Sequence, residues 1–229
     1  MAYSLKFNSI LIPQARIIRI FAGNLLRMYW YEDEITQLES KTILPKGDKM
    51  RVVFYGSSSI RLWDTIETDF QDFDVVNQAF GGSTLAACCW FFKRVIPLWK
   101  PDILVLYAGD NDLGDGRHPE EVFINFNYMM SLIEECCGHI PVAFISVKQS
   151  PARVNLYESI RFTNKIIREE IEQKYPMCTY VDIIETMKSK GSIDKTLFEP
   201  DGLHLSNKGY KVWKKELKLQ FLDNCNTKR

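Results

Sequence analysis

Arg51-Val52-Val53-Phe54-Tyr55-Gly56-Ser57-Ser58-Ser59 is the stretch that decides how this chain reads. A short apolar, β-favouring run stops abruptly on one glycine and three serines. A buried strand ending in a tight turn leaves a serine hydroxyl at the carboxyl edge of a sheet, where open α/β folds place their sites. Three further segments follow in order: Gly81-Gly82-Ser83-Thr84, Gly109-Asp110-Asn111-Asp112 and Asp201-Gly202-Leu203-His204. Together they supply a nucleophile, oxyanion donors and an Asp/His pair.

The residues around these segments alternate between two periods. Apolar runs over 51–56, 74–77, 103–107, 141–147 and 179–183 read as strands. Helical spacing marks 60–70, 83–99, 119–137, 156–175 and 207–222. Strands separated by helices indicate βαβ units, and these predict an α/β fold: a three-layer α/β/α sandwich around a five-stranded parallel sheet. Residues 1–50 read as an N-terminal helical extension and connector, and 51–229 as a single domain.

Composition narrows the function. The chain has 229 residues, 46% of them apolar, with 29 basic and 29 acidic side chains, so no net charge points to a nucleic-acid partner. Its six cysteines include the adjacent pairs Cys88-Cys89 and Cys136-Cys137, with no C-x-x-C and no glycosylation sequon. Adjacent cysteines in apolar segments suit buried thiols, and the expected location is the reducing cytoplasm.

Before Glu32 the chain carries Lys6, Arg16, Arg19 and Arg27 but no acid. On a helical wheel Ile17, Phe21, Leu25 and Met28 oppose these arginines. The segment reads as an amphipathic helix packed on the domain. A basic helix in peripheral contact with a membrane, or a transit-like segment, remains open.

Histidine is scarce: His118, His139 and His204 are all there are. His204 alone has a local carboxylate, Asp201, three residues earlier in a turn. An acyl-transfer serine needs a base, and the base needs a carboxylate to fix its tautomer. A metal is not expected, because no second His or Cys lies at ligand spacing. Gly82 offers a backbone N–H beside a helix start, and Asn111 a side-chain amide after the third strand. Each also has a plain reading as turn chemistry.

Taken together, the four blocks in order resemble the SGNH, or GDSL-type, hydrolase superfamily. The resemblance spans residues 51–210, and Gly56 to Trp63 is similar to a bacterial branch reading Gly-Ser-Ser-Ser-Ile-Arg-Leu-Trp. It implies a flavodoxin-like sandwich, no metal or other cofactor, and hydrolysis of a small-molecule ester through an acyl-enzyme. Position within the blocks makes Ser58 the nucleophile, His204 the base and Asp201 its orienter. The Ser58 N–H, the Gly82 N–H and the Asn111 side chain would form the oxyanion hole. Ser57 replaces the usual aspartate, and Asp110 stands where glycine is common, so Asp110→Gly is expected to remain active.

The substrate is less legible. Trp63, Trp90, Phe91 and Phe92 are candidates for an acyl pocket; Lys148, Ser150 and Arg153 are candidates for a polar leaving group. Nothing selects among acetylesterase, lysophospholipase and thioesterase activity. The rival reading is a non-catalytic binding or scaffold protein that kept the fold.

Overall fold

The computed structural model describes residues 29–43 and 45–226, so the basic segment 1–28, with its Arg16, Arg19 and Arg27 face, lies outside the described residues. In chain order the elements begin with α1 (Glu32–Glu39), β1 (Arg51–Gly56), α2 (Ser58–Arg61), α3 (Ile66–Asp69) and β2 (Asp74–Asn77). Then come α4 (Leu85–Val95), β3 (Ile103–Tyr107), α5 (Asp110–Gly114), α6 (Pro119–Cys137) and β4 (Val142–Ile145). The chain continues through α7 (Tyr157–Lys174), β5 (Cys178–Val181), β6 (Lys188–Ser189), β7 (Ser192–Ile193) and α8 (Asn207–Leu217).

Five parallel strands form one sheet in the order β2-β1-β3-β4-β5. In register, Val53 sits between Val76 of β2 and Leu104 of β3. Every residue of β1, β3 and β4 is buried, as expected of parallel strands covered on both faces. Side-chain alternation divides the core in two. Val53, Tyr55, Leu104 and Leu106 join α4, α6 and α7 on one face. Val52, Phe54, Ile103 and Val105 join α2, α3 and α8 on the other. This is the α/β/α sandwich expected from the alternating periods.

Helix α1 packs into the first of these cores, with Ile35 fully buried and Leu38 nearly so. Residues 31–39 are therefore tied to the hydrophobic interior of the sandwich through Tyr31, Ile35 and Leu38. Helical spacing over 60–70 is met by two short helices with a break at 62–65. The β6–β7 hairpin lies in a stretch where no strand is expected. None of the six cysteines is joined in a disulfide. Among the described residues no helix is long and apolar enough to cross a membrane.

Candidate active site

In this strand order the chain leaves β1 toward β2 on one side and returns to β3 on the other. The carboxyl ends of β1 and β3 therefore open into a crevice at the point where the winding reverses. Gly56 makes the exit from β1 feasible. Its φ is +139°, and a Cβ there would fall 1.9 Å from the Tyr107 carbonyl oxygen. That same carbonyl accepts the Ser57 N–H at 2.9 Å, which pins the turn to β3.

The three serines part company at this turn. Ser57 and Ser59 are 1% exposed, and their hydroxyls make no hydrogen bond among the described residues. Ser58 Oγ lies 3.1 Å from His204 Nε2. On the far side of the imidazole, Nδ1 lies 2.6 Å from Asp201 Oδ2. The other Asp201 oxygen accepts the N–H groups of Leu203 at 2.8 Å and His204 at 3.0 Å, so the aspartate folds its own loop. Partial burial would raise this carboxyl, but the Leu203 and His204 hydrogen bonds outweigh it and hold the group down at about 2. An ionised carboxylate only accepts. The His204 proton is therefore assigned to Nδ1, and the Nε2 lone pair faces Ser58.

The opposite wall brings together the turns after β2 and β3. Gly82 adopts φ +65° in the Gly81-Gly82 turn that precedes α4. Asn111, in the first turn of α5, donates from Nδ2 to the Ser83 carbonyl at 3.0 Å. One of its two amide hydrogens is thereby used to tie the two loops together, and the second remains for a ligand. Asn111 Oδ1 accepts from Arg153 Nη2 at 2.8 Å. Beside it, Asp112 Oδ2 accepts the Leu85 N–H at 2.8 Å at the start of α4.

Several residues expected to meet substrate are placed otherwise. Trp63 is 1% exposed, wedged among Phe54, Phe70, Tyr210 and Trp213. Its Nε1–H donates to Asp69 at 2.8 Å, so it is core and has no surface to offer. Phe91 and Phe92 are fully buried as well, whereas Trp90 points outward from α4. The Lys148 side chain is 1% exposed and pairs with Asp110 at 2.7 Å. Arg153 Nη1 approaches the same oxygen at 3.1 Å as an ion pair without hydrogen-bond geometry. Burial would raise the Asp110 carboxyl, but Lys148 and Arg153 outweigh it and keep it ionised. Both cations thus face Asp110, and Arg153 reaches the site through Asn111. The polar leaving-group role expected of Lys148 gives way to this buried ion pair.

Tyr31, Glu34 and Arg61 also meet the Gly81-Gly82 turn, and sequence reading overlooked them. Tyr31 Oη donates to the Gly82 carbonyl at 3.0 Å, and Glu34 accepts the Gly81 N–H at 2.9 Å. Across the crevice, the segment after β4 is bound to the histidine loop by the Ala152 N–H, which donates to the Gly202 carbonyl at 3.0 Å. A cavity of about 520 Å³ lined by Gln149, Pro151, Val154, Tyr157, Ile193 and Lys195 lies next to that segment. Among the described residues no cluster of three His, Cys, Asp or Glu is placed to hold a metal ion.

Comparison with solved structures finds the same architecture. A GDSL-like lipase from Bacteroides thetaiotaomicron is 20% identical, with a TM-score of 0.69 over 82% of this chain and 95% of its own. A carbohydrate esterase family 3 protein from Talaromyces cellulolyticus is 14% identical, with a TM-score of 0.64 over 79% of this chain and 100% of its own. A variant of Axe2, an acetyl-xylooligosaccharide esterase from Geobacillus, is 11% identical, with a TM-score of 0.60 over 78% and 96%. At these identities the likeness is one of fold. Among curated proteins, none is similar in sequence. The family model for GDSL-like lipases and acylhydrolases matches residues 54–212, a span that holds Ser58, Gly82, Asn111, Asp201 and His204. This chain belongs to the GDSL-like lipase/acylhydrolase family.

Proposed function

We propose that this protein hydrolyses carboxylic esters of small molecules through an acyl-enzyme on Ser58. Family membership supports ester hydrolysis as the reaction class. The observation that carries the finer reading is the unbroken line from Asp201 Oδ2 to His204 at 2.6 Å and from His204 to Ser58 Oγ at 3.1 Å. In this reading Ser58 Oγ attacks the ester carbonyl carbon while its proton passes to His204 Nε2. The Ser58 N–H, the Gly82 N–H and the free Asn111 amide hydrogen receive the negative oxygen. Collapse breaks the ester C–O bond, and the departing alkoxide takes the proton from His204. A water, deprotonated by His204 in turn, attacks the acyl carbon; the bond to Ser58 Oγ breaks, that oxygen takes the proton back from His204, and the acid leaves. Asp201 keeps the imidazole in one orientation and stabilises its charged form throughout.

A panel of p-nitrophenyl esters of rising acyl length, followed by sugar acetates, tests this reading and finds the preferred acyl group. Turnover by the full chain should fall by at least ~10³-fold in Ser58→Ala and in His204→Ala. Turnover that survives in Ser58→Ala would contradict it. So would a full chain that hydrolyses none of the esters, the outcome that a non-catalytic scaffold predicts.

A further inference from the structure

The Gly81-Gly82 turn is gripped from residues that lie before the family-matched span. Tyr31 Oη holds the Gly82 carbonyl at 3.0 Å, and Glu34 Oε2 holds the Gly81 N–H at 2.9 Å. Arg61 Nε stands 3.6 Å from the same glutamate oxygen and balances its charge. The fit around Gly81 is close: a Cβ there would lie 3.0 Å from Glu34 Oε1 and 3.1 Å from Arg61 Nε. The Tyr31 ring packs edge-on against Phe80 at 5.2 Å and Phe91 at 6.3 Å. Burial pushes its phenol up to about 12, so the donor proton stays in place at neutral pH. Helix α1 is itself anchored, through buried Ile35 and through Arg94, which pairs with Glu32 at 3.0 Å and Glu39 at 2.8 Å.

We infer that α1, with Tyr31 at its start, is a clasp that positions the Gly82 N–H for the developing oxyanion, and this rests on the ester hydrolysis proposed above. Two consecutive glycines have the least restricted dihedrals the chain can offer. The peptide that carries the Gly82 N–H lies between two others. Glu34 pins the one before it through the Gly81 N–H, and Tyr31 pins the one after it through the Gly82 carbonyl. With both flanks held, the Cα atoms of Gly81 and Gly82 are fixed, and the Gly82 N–H between them is confined to a short arc about the axis that joins those two atoms. A donor held in place before reaction adds no reorganisation cost when charge develops. Tyr31 and Glu34 belong to neither the Ser58–His204–Asp201 line nor the donor set. They are positioning residues.

The test uses the full chain, p-nitrophenyl acetate turnover, and the ¹⁵N order parameter of the Gly82 amide. Tyr31→Phe keeps the ring packing and removes only the donor. It should lower kcat about 3- to 10-fold at unchanged KM, the scale of one neutral hydrogen bond. Glu34→Ala should do the same. Glu34→Gln, whose amide oxygen still accepts the Gly81 N–H, should restore most of kcat. The Gly82 order parameter should drop in Tyr31→Phe and Glu34→Ala and recover in Glu34→Gln. Wild-type kcat in both Tyr31→Phe and Glu34→Ala would overturn the inference, as would a loss confined to KM. If the unmodified chain turns over no ester, the reaction proposed above fails, and the Gly82 order parameter alone decides the clasp: an amide equally ordered in all variants rules it out.

Discussion

Asn111 is held at both ends of its amide, by Ser83 on the nitrogen and by Arg153 on the oxygen. A cation on the amide oxygen orients the group and polarises the remaining N–H toward an incoming negative charge. Asn111→Ala should lower kcat by roughly 10²–10³ with little change in KM, the mark of a donor that acts mainly in the transition state. Arg153→Ala should show the same kcat pattern with a smaller loss; a rise in KM alone would mean that Arg153 contacts substrate. Asp110→Gly, which the family pattern makes look harmless, should not be neutral. It strands the buried Lys148 ammonium and should destabilise the fold by on the order of 3–5 kcal/mol, read from urea melts. An active variant of wild-type stability would contradict this account of the ion cluster. The Asp201–His204 pair was legible from its own turn, whereas only the family resemblance separated Ser58 from Ser57 and Ser59. The partners of Lys148 and Arg153 were not, since a loop cation looks the same whether it faces solvent or a buried carboxylate 38 or 43 residues away.

At the scale of elements, the start of α4 joins the turns of β2 and β3. Thr84 Oγ1 accepts the Ala87 N–H at 3.1 Å, and Asp112 accepts the Leu85 N–H at 2.8 Å. Burial pushes the Asp112 carboxyl up to about 6, against an ordinary aspartate near ~4. The folded protein therefore binds this proton more tightly than the unfolded chain does. The resulting stabilisation is fully present below about pH 4 and is lost as pH rises through about 6. Asp112→Asn lacks that titration, so wild type should gain melting temperature relative to the variant as pH falls from 7 to 4. A constant difference across that range would contradict the assignment. Elements were read well where burial made the strands continuous and the helices long, as for β3 and α6. Two were misread. Ile60, Trp63, Ile66 and Phe70 have helical spacing, but all four reach the same core from two short helices, the break between them and the residue that follows the second. The β6–β7 hairpin has two-residue strands made largely of Lys and Ser, with Lys190 and Gly191 at positive φ in its turn; no β-propensity marks it.

At the scale of the molecule, the 2-1-3-4-5 strand order gathers residues that are far apart in sequence. Ser58 leaves β1, Asn111 leaves β3, and His204 arrives from a loop 146 residues beyond Ser58. This architecture was legible because apolar strands alternating with amphipathic helices admit few topologies once crossovers are right-handed. The part that α1 plays was not legible, since nothing in Tyr31 or Glu34 alone names the turn they hold. The most direct test is intact-mass and peptide analysis after treatment with a fluorophosphonate, which reacts with an activated serine. One adduct should form and map to Ser58. It should persist in Ser57→Ala and Ser59→Ala and vanish in Ser58→Ala. An adduct on another residue, or labelling that survives in Ser58→Ala, would contradict the assignment of Ser58 as the nucleophile.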